Sequence, residues 1–431
     1  MKHIYSQAKE VNVWLGEEDD RSKKLCEYAK KMRRGEDSPR STFTRKSTMS
    51  RIMSQRQLED AIQSLLQRPW FQRVWVIPEV ALARFSVVAC GSSLISWDNL
   101  VRLVRDTPLP QAKGFDKQTH LLGNARQRIA ILTQMIASQR KGLLHTDITQ
   151  LLILAKSSQA TDSHDKVYAF YGMTLLTTVP DYTRPEERLF VDFAHHYVNS
   201  IIYDDYYSRF HGLSEQRRLQ QLMSIIYSAG KLHQHHHYHF ALWVPDWTYA
   251  WYQAPLWCRT ESNIVTGTVR DEWSAGIRCD YRAGGDKLET FEVMDGAHGT
   301  HWLHLSALIF DVIIEISETT PAQAPAAEGS SPLSLTSLTI TMDSPTLTYG
   351  RDFFQTSRGI PGVASRGTVP GDAVAILLGG DVPVLLRPAG KHDNGLDMYE
   401  LLCECFVQSA DVMNGDLLRT DWTLGKDIIL V

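Results

Sequence analysis

The chain lacks the usual marks of a secreted, membrane-spanning or nucleotide-handling protein. No Asn-x-Ser/Thr acceptor occurs in its 431 residues, and Cys26, Cys90, Cys258, Cys279, Cys403 and Cys405 show no CxxC spacing. Neither a disulfide framework nor a thiolate zinc site is therefore indicated. Met1 to Ala8 holds no apolar signal core, and no run approaches the length of a membrane span. Walker, dinucleotide-fingerprint, zincin and nucleophile-elbow patterns are missing. A formal charge of −4 gives no general attraction to nucleic acid or to an acidic membrane. These absences point to a reduced, cytoplasmic setting with no membrane span, no nucleic-acid partner and no resident cofactor or metal.

Apolar material, by contrast, is ample. Hydrophobic residues make up 43% of the chain, with 11 Trp, 16 Tyr and 14 Phe, and the length suits two domains. The spacing predicts an α/β or helical region over residues 1–255 and a β-rich region over 256–431, with a flexible loop at 318–336. Val11, Val13 and Leu15 alternate as a strand stopped by Gly16. Ser54 with Gln57 forms a capping box ahead of the stripe Leu58, Ala61, Ile62, Leu65 and Leu66. A second stripe runs Phe190, Phe193, Ala194, Tyr197, Val198 and Ile201. Runs such as Val374 to Leu378 and Pro383 to Leu386 are punctuated by Gly-Asp and Gly-Gly turns. Cys403 and Cys405 alternate within an apolar strand, where one face would bury both.

Three features invite chemistry. Arg68-Pro69-Trp70-Phe71-Gln72-Arg73-Val74-Trp75-Val76-Ile77-Pro78-Glu79-Val80 sets one carboxylate among aromatic and apolar residues. Such a glutamate must be paired, be neutralised by a raised pKa, or line a cleft; the plain alternative is a core segment with one solvated carboxylate. Pro78 speaks against a regular helix at that point. His233, His235, His236, His237 and His239 have the look of a metal tract, yet no carboxylate or thiolate is close in sequence, so a solvated loop is expected. Glu17-Glu18-Asp19-Asp20 reads as a solvated turn at a helix N-terminus, with cation binding as the alternative.

Taken together, separated blocks resemble the fungal heterokaryon-incompatibility (HET) domain family. Ile4-Tyr5-Ser6-Gln7-Ala8 through Val13-Trp14-Leu15-Gly16 resembles its "IYxxA…VWLG" block. Arg68 to Glu79 is similar to "RxWFxRxWVxQE", with Pro78 where glutamine is usual. Ala160-Thr161-Asp162 through Asp165-Lys166-Val167-Tyr168-Ala169 resembles "ATDxxDKVYALLGL". Trp243-Val244-Pro245-Asp246-Trp247 and Gly371-Asp372-Ala373-Val374 through Leu386-Arg387 match later blocks, which are expected to serve folding.

The resemblance implies a TIR-like, flavodoxin-like parallel sheet with helices, and a role in non-self recognition and cell-death signalling through protein contacts or self-association. It also implies a rival of another class, an NAD-hydrolysing enzyme. There NAD would be the substrate, Glu79 the catalytic carboxylate that stabilises a ribosyl cation, and Trp14, Trp70, Arg73 and Trp75 the binding residues. Two family blocks, "ALSYxWG" and "DAxCINQ", precede the first one seen here. The resemblance therefore implies an N-terminally truncated sheet with an open edge at Val11 to Leu15, or a non-functional remnant. On that expectation the chain does not turn over NAD.

Overall fold

The computed structural model describes residues 2–31, 53–107, 128–133, 135–137, 148–173, 179–203, 215–235, 239–249, 256, 281–285, 290–295, 301–317, 350–420 and 425–431. The predicted loop at 318–336 lies outside them, as do His236 and His237. Two compact units divide the chain. One comprises Met1–Thr146, Ile153–Pro180 and Thr260–Gly276; the other comprises Asp147–Leu152, Asp181–Arg259 and Ile277–Val431.

In the first unit, helix α1 (Lys2–Gln7) leads into strand β1 (Val11–Trp14) and helix α2 (Asp20–Lys31). Helix α3 (Gln55–Leu66) starts with the reciprocal Ser54–Gln57 box and buries Leu58, Ala61, Ile62, Leu65 and Leu66, as the periodicity predicts. A 3₁₀ turn (Pro69–Gln72) and helix α4 (Val76–Ala81) follow. Pro78 does not break α4. It stands in the first turn, where its missing N–H would have had no intrahelical partner.

Strands β2 (Ser86–Cys90) and β3 (Ser93–Ser96) then form a hairpin, followed by helix α5 (Trp97–Asp106). The sheet order is β1-β2-β3, with β1 parallel to β2 and β3 antiparallel to it. The sheet is thus mixed, and among the described residues its one parallel pairing is β1–β2. Val13, Val88 and Ile95 share a register row and are buried on the side packed by α2 and α5. On the opposite side Trp14, Ala89 and Leu94 form a row, and Trp14 and Leu94 are exposed by 52% and 49%. Helix α6 (Ile148–Lys156), whose residues from Ile153 on belong to this unit, and the short helix α7 (Asp165–Tyr168) flank and enter the Ala160 to Ala169 block.

The second unit carries helices α8 (Glu186–Tyr203) and α9 (Glu215–Tyr227) and a large β structure. Its strands are β4 (Phe291–Asp295), β5 (His301–Ser317), β6 (Arg351–Thr356), β7 (Pro361–Ser365), β8 (Ala373–Leu377), β9 (Val384–Lys391), β10 (Asp397–Val407) and β11 (Lys426–Leu430). The ladder β10-β7-β6-β5-β8-β9 returns to β10 through the β9–β10 pairing, so these strands close into a barrel. β11 bridges β10 and β5, parallel to the first and antiparallel to the second.

Closure needs β5 and β10 to serve different neighbours along their lengths, and each bends at register shifts to do so. Phe310, Ile313, Phe354, Val374, Ile376, Leu385, Leu402, Cys403 and Cys405 fill a common core. Both of those cysteines are buried, as the alternation predicts. Burial pushes the Cys403 thiol up to about 12 and Cys405 well above its usual value.

Candidate functional site

Trp70 is fixed by its neighbours. Pro69 opens the 3₁₀ turn, which folds the indole edge-on against Phe71 at 5.0 Å and toward Trp97 at 6.2 Å. The Val74 amide then bonds the carbonyl of Gln159, and Trp75 caps α4 with helical backbone. This geometry sets Glu79 half-buried, where it accepts hydrogen bonds from the indole of Trp70 and the phenol of Tyr5, with the Arg73 guanidinium nearby. Burial raises the Glu79 pKa above the ordinary glutamate value, and Arg73 and the two hydrogen bonds oppose that rise. Tyr5 is raised too, first by burial and then by the charge of Glu79.

Three of the five predicted residues therefore meet: Glu79, Trp70 and Arg73. Trp75 is half-buried at the helix cap, and Trp14 is exposed on β1; neither bonds to Glu79 among the described residues. Tyr5 is the partner that sequence reasoning missed. Its position in the quoted "IYxxA" block was the available signal, but nothing in the spacing tied it to a glutamate so far along the chain.

A linkage consequence follows from the raised pKa of Glu79. With the folded value above the unfolded one, the stability tied to this group is fully present below the unfolded value. It is lost as pH rises through the folded one. Glu79→Gln, with no charge to bury, should lose less stability than the wild type over that rise. Denaturant titrations of both proteins from acid to neutral pH check this; parallel curves would contradict it.

The carboxyl ends of β1 and β2 are where a ligand would sit beside a parallel pair. Here they are filled by the chain itself. Arg68 donates to the carbonyls of Leu15 and Glu17 at 2.8 and 2.9 Å. Glu18 accepts from Ser93 at 2.9 Å, and its side chain covers Gly91, where a Cβ would meet it at 2.7 Å. Asp19 and Ser22 cap α2 reciprocally through the Asp19 amide at 2.8 Å and the Ser22 amide at 2.7 Å. The Ser22 amide is the first of the causes that hold the Asp19 pKa below its usual value. The acidic turn is thus a capped helix start. It offers carboxylates where a nucleotide phosphate would need bare amides.

The remaining motifs act within the fold. Lys166 is buried and donates to the carbonyls of Ala155 and Ser158 at the end of α6. Arg128, also buried, donates to the carbonyls of Ser157 and Arg73 at 2.8 and 3.3 Å.

The expectation of a solvated histidine loop needs correction. His233 is buried and lies 3.1 Å from the Ser365 hydroxyl. His235 is held at 2.8 Å by Asp246, a fully buried carboxylate that the sequence places eleven residues away. Asp246 also accepts from the amides of Thr248 and Tyr249 and the Thr248 hydroxyl. Among the described residues no group of three His, Cys, Asp or Glu side chains could hold a metal ion. No described helix is long and apolar enough to cross a membrane. In the barrel, Asp372 and Arg387 form a two-pronged pair at 2.8 and 2.9 Å that joins the ends of the Gly371 to Arg387 block.

Residues 1–79 match the family model described as heterokaryon incompatibility protein (HET). The matched stretch runs from α1 through Glu79 and so includes the Tyr5–Trp70–Arg73–Glu79 cluster. No curated protein and no solved structure matches the chain.

Proposed function

We propose that this protein works in the cytoplasm in heterokaryon incompatibility, as a non-self recognition and cell-death signalling protein that acts through protein contacts. The family match over residues 1–79 supports the process. The observation that carries the contact reading is the way Glu79 is used. Its carboxylate is bonded by Tyr5 and Trp70 beside Arg73, and so ties α1, the 3₁₀ turn and α4 together. A carboxylate committed to two donors within its own fold is a poor group to offer a substrate cation. The self-filled, acidic carboxyl end of the β1–β2 pair supports the same reading.

Two assays test it. Regulated expression in fungal cells should arrest growth, whether the chain carries wild-type Glu79 or Glu79→Gln. Purified protein incubated with NAD should release no nicotinamide above the blank. Nicotinamide release that vanishes in Glu79→Gln would instead favour the NAD-hydrolysing enzyme. Growth unaffected by expression would count against the signalling role.

A further inference from the structure

The total charge of −4 conceals a local excess of the opposite sign. Residues 21–51 carry eleven Lys and Arg against three Asp and Glu, a net charge of +8. The described part of that stretch is α2, which packs against β3, α3 and α5 and buries Leu25, Cys26, Tyr28 and Ala29. Arg21, Lys23, Lys24, Lys30 and Lys31 are left outside, and all five are exposed. At 3.6 residues per turn, Lys23 lines up with Lys30 and Lys24 with Lys31, each pair about 10 Å apart. Exposed Glu27 sits amid the four lysines, three or four residues from each. None of the five cations forms an ion pair with a described residue. Helix stability explains only part of this pattern. Lys30 and Lys31 complement the C-terminal end of the helix dipole, but Lys23 and Lys24 lie near the N-terminal end, where it gives cations no support.

We infer that the exposed face of α2 docks on an anionic phospholipid surface, holding the protein against a membrane without inserting into it. This is independent of how Glu79 is used and adds a location to the proposed role. Three features of the face select this occupant. It carries no exposed apolar or aromatic residue, so it lacks the anchor that a protein interface or a single-stranded nucleic acid needs. Lysine outnumbers arginine on it by four to one, and lysine acts as a point charge where arginine makes two-pronged phosphate contacts. Its two lysine columns lie side by side, so a flat surface meets both at once, while a duplex curves away from one. Arg33 and Arg34, which follow α2 in the sequence, continue the sign. An anionic leaflet supplies the complementary potential, which is worth about fivefold in affinity for each basic residue near the surface.

Co-sedimentation of the full chain with lipid vesicles tests this. The wild type should bind phosphatidylcholine vesicles containing roughly 30% phosphatidylserine, and should ignore phosphatidylcholine alone. Raising the salt to about 0.5 M should release it. Lys23→Gln/Lys24→Gln/Lys30→Gln/Lys31→Gln should weaken binding about a hundredfold or more. Lys23→Gln/Lys24→Gln leaves the helix C-terminus untouched and should weaken it about 25-fold, with thermal unfolding unchanged. Glu27→Gln should strengthen binding about fivefold, a gain that a purely structural α2 would not show. Three results would overturn the inference: wild-type protein that stays in solution, a loss under about threefold in the double variant, or tighter binding to a duplex oligonucleotide than to the vesicles. Growth arrest on expression is a separate readout, so the incompatibility reading stands or falls apart from this one.

Discussion

Arg351→Met should lower the stability of the barrel unit by about 3–5 kcal/mol, the usual cost of stripping one partner from a buried ion pair. Arg351 and Glu404 are 1% and 3% exposed, and the guanidinium lies 3.1 Å from the carboxylate. Burial pulls the Arg351 pKa down while Glu404 supports it, so each charge is tolerated because of the other. With the arginine gone, Glu404 keeps the Leu256 amide at 3.0 Å but loses its cation. A fall in Tm of roughly 10 °C is expected for a unit of this size. The double variant Arg351→Met/Glu404→Leu should recover most of the loss, because no charge is then left buried. Urea unfolding of the two single variants and the double measures the coupling directly. A single-variant cost below about 1 kcal/mol would mean that water reaches the pair.

Local structure was legible in the sequence; long-range partnership was not. Ser54 and Gln57 announce α3 because a capping box satisfies orphan amides within one turn. The Phe190 to Ile201 stripe announces α8 because its spacing repeats with the helical turn, and those residues are buried. Pro78 misled because position decides its effect: the same residue that breaks a helix interior is harmless in a first turn.

Barrel closure was invisible for a different reason. β8, β9 and the apolar run of β10 read as strands, but the pairings of β11 with β5 and of β6 with β5 join residues far apart in the chain. Alternation specifies a face and carries no information about which neighbour a strand will take. The candidate site shows the same division. Trp70, Arg73 and Glu79 lie in one segment and could be named together, whereas Tyr5 meets Glu79 only once α1 and α4 pack. Asp246 likewise reaches His235 through the fold, not through any metal-ligand spacing.

A last expected result tests that non-local packing at its tightest point. Gly284→Ala should destabilise the barrel unit by more than about 3 kcal/mol, beyond the ordinary range for overpacking. Residues 283 and 284 lie as a short added edge against the turn after β8. The Ala283 amide bonds the Asp381 carbonyl, the Gly284 amide bonds Gly380, and the Gly379 amide returns to Gly284 at 2.8 Å. A Cβ on Gly284 would fall 1.9 Å from the Leu377 carbonyl oxygen and 2.6 Å from the Gly380 nitrogen. Both obstacles are backbone, which cannot swing aside as a side chain would. Relief therefore requires separating the two segments and giving up their hydrogen bonds. Gly371→Ala supplies the control. Gly371 has a φ of +98° but nothing within 4 Å of a Cβ, so its cost is backbone strain of about 1–2 kcal/mol. Parallel urea titrations should rank Gly284→Ala well above Gly371→Ala. Equal costs would mean that the 283–284 edge does not press against the turn, and that the barrel tolerates its displacement.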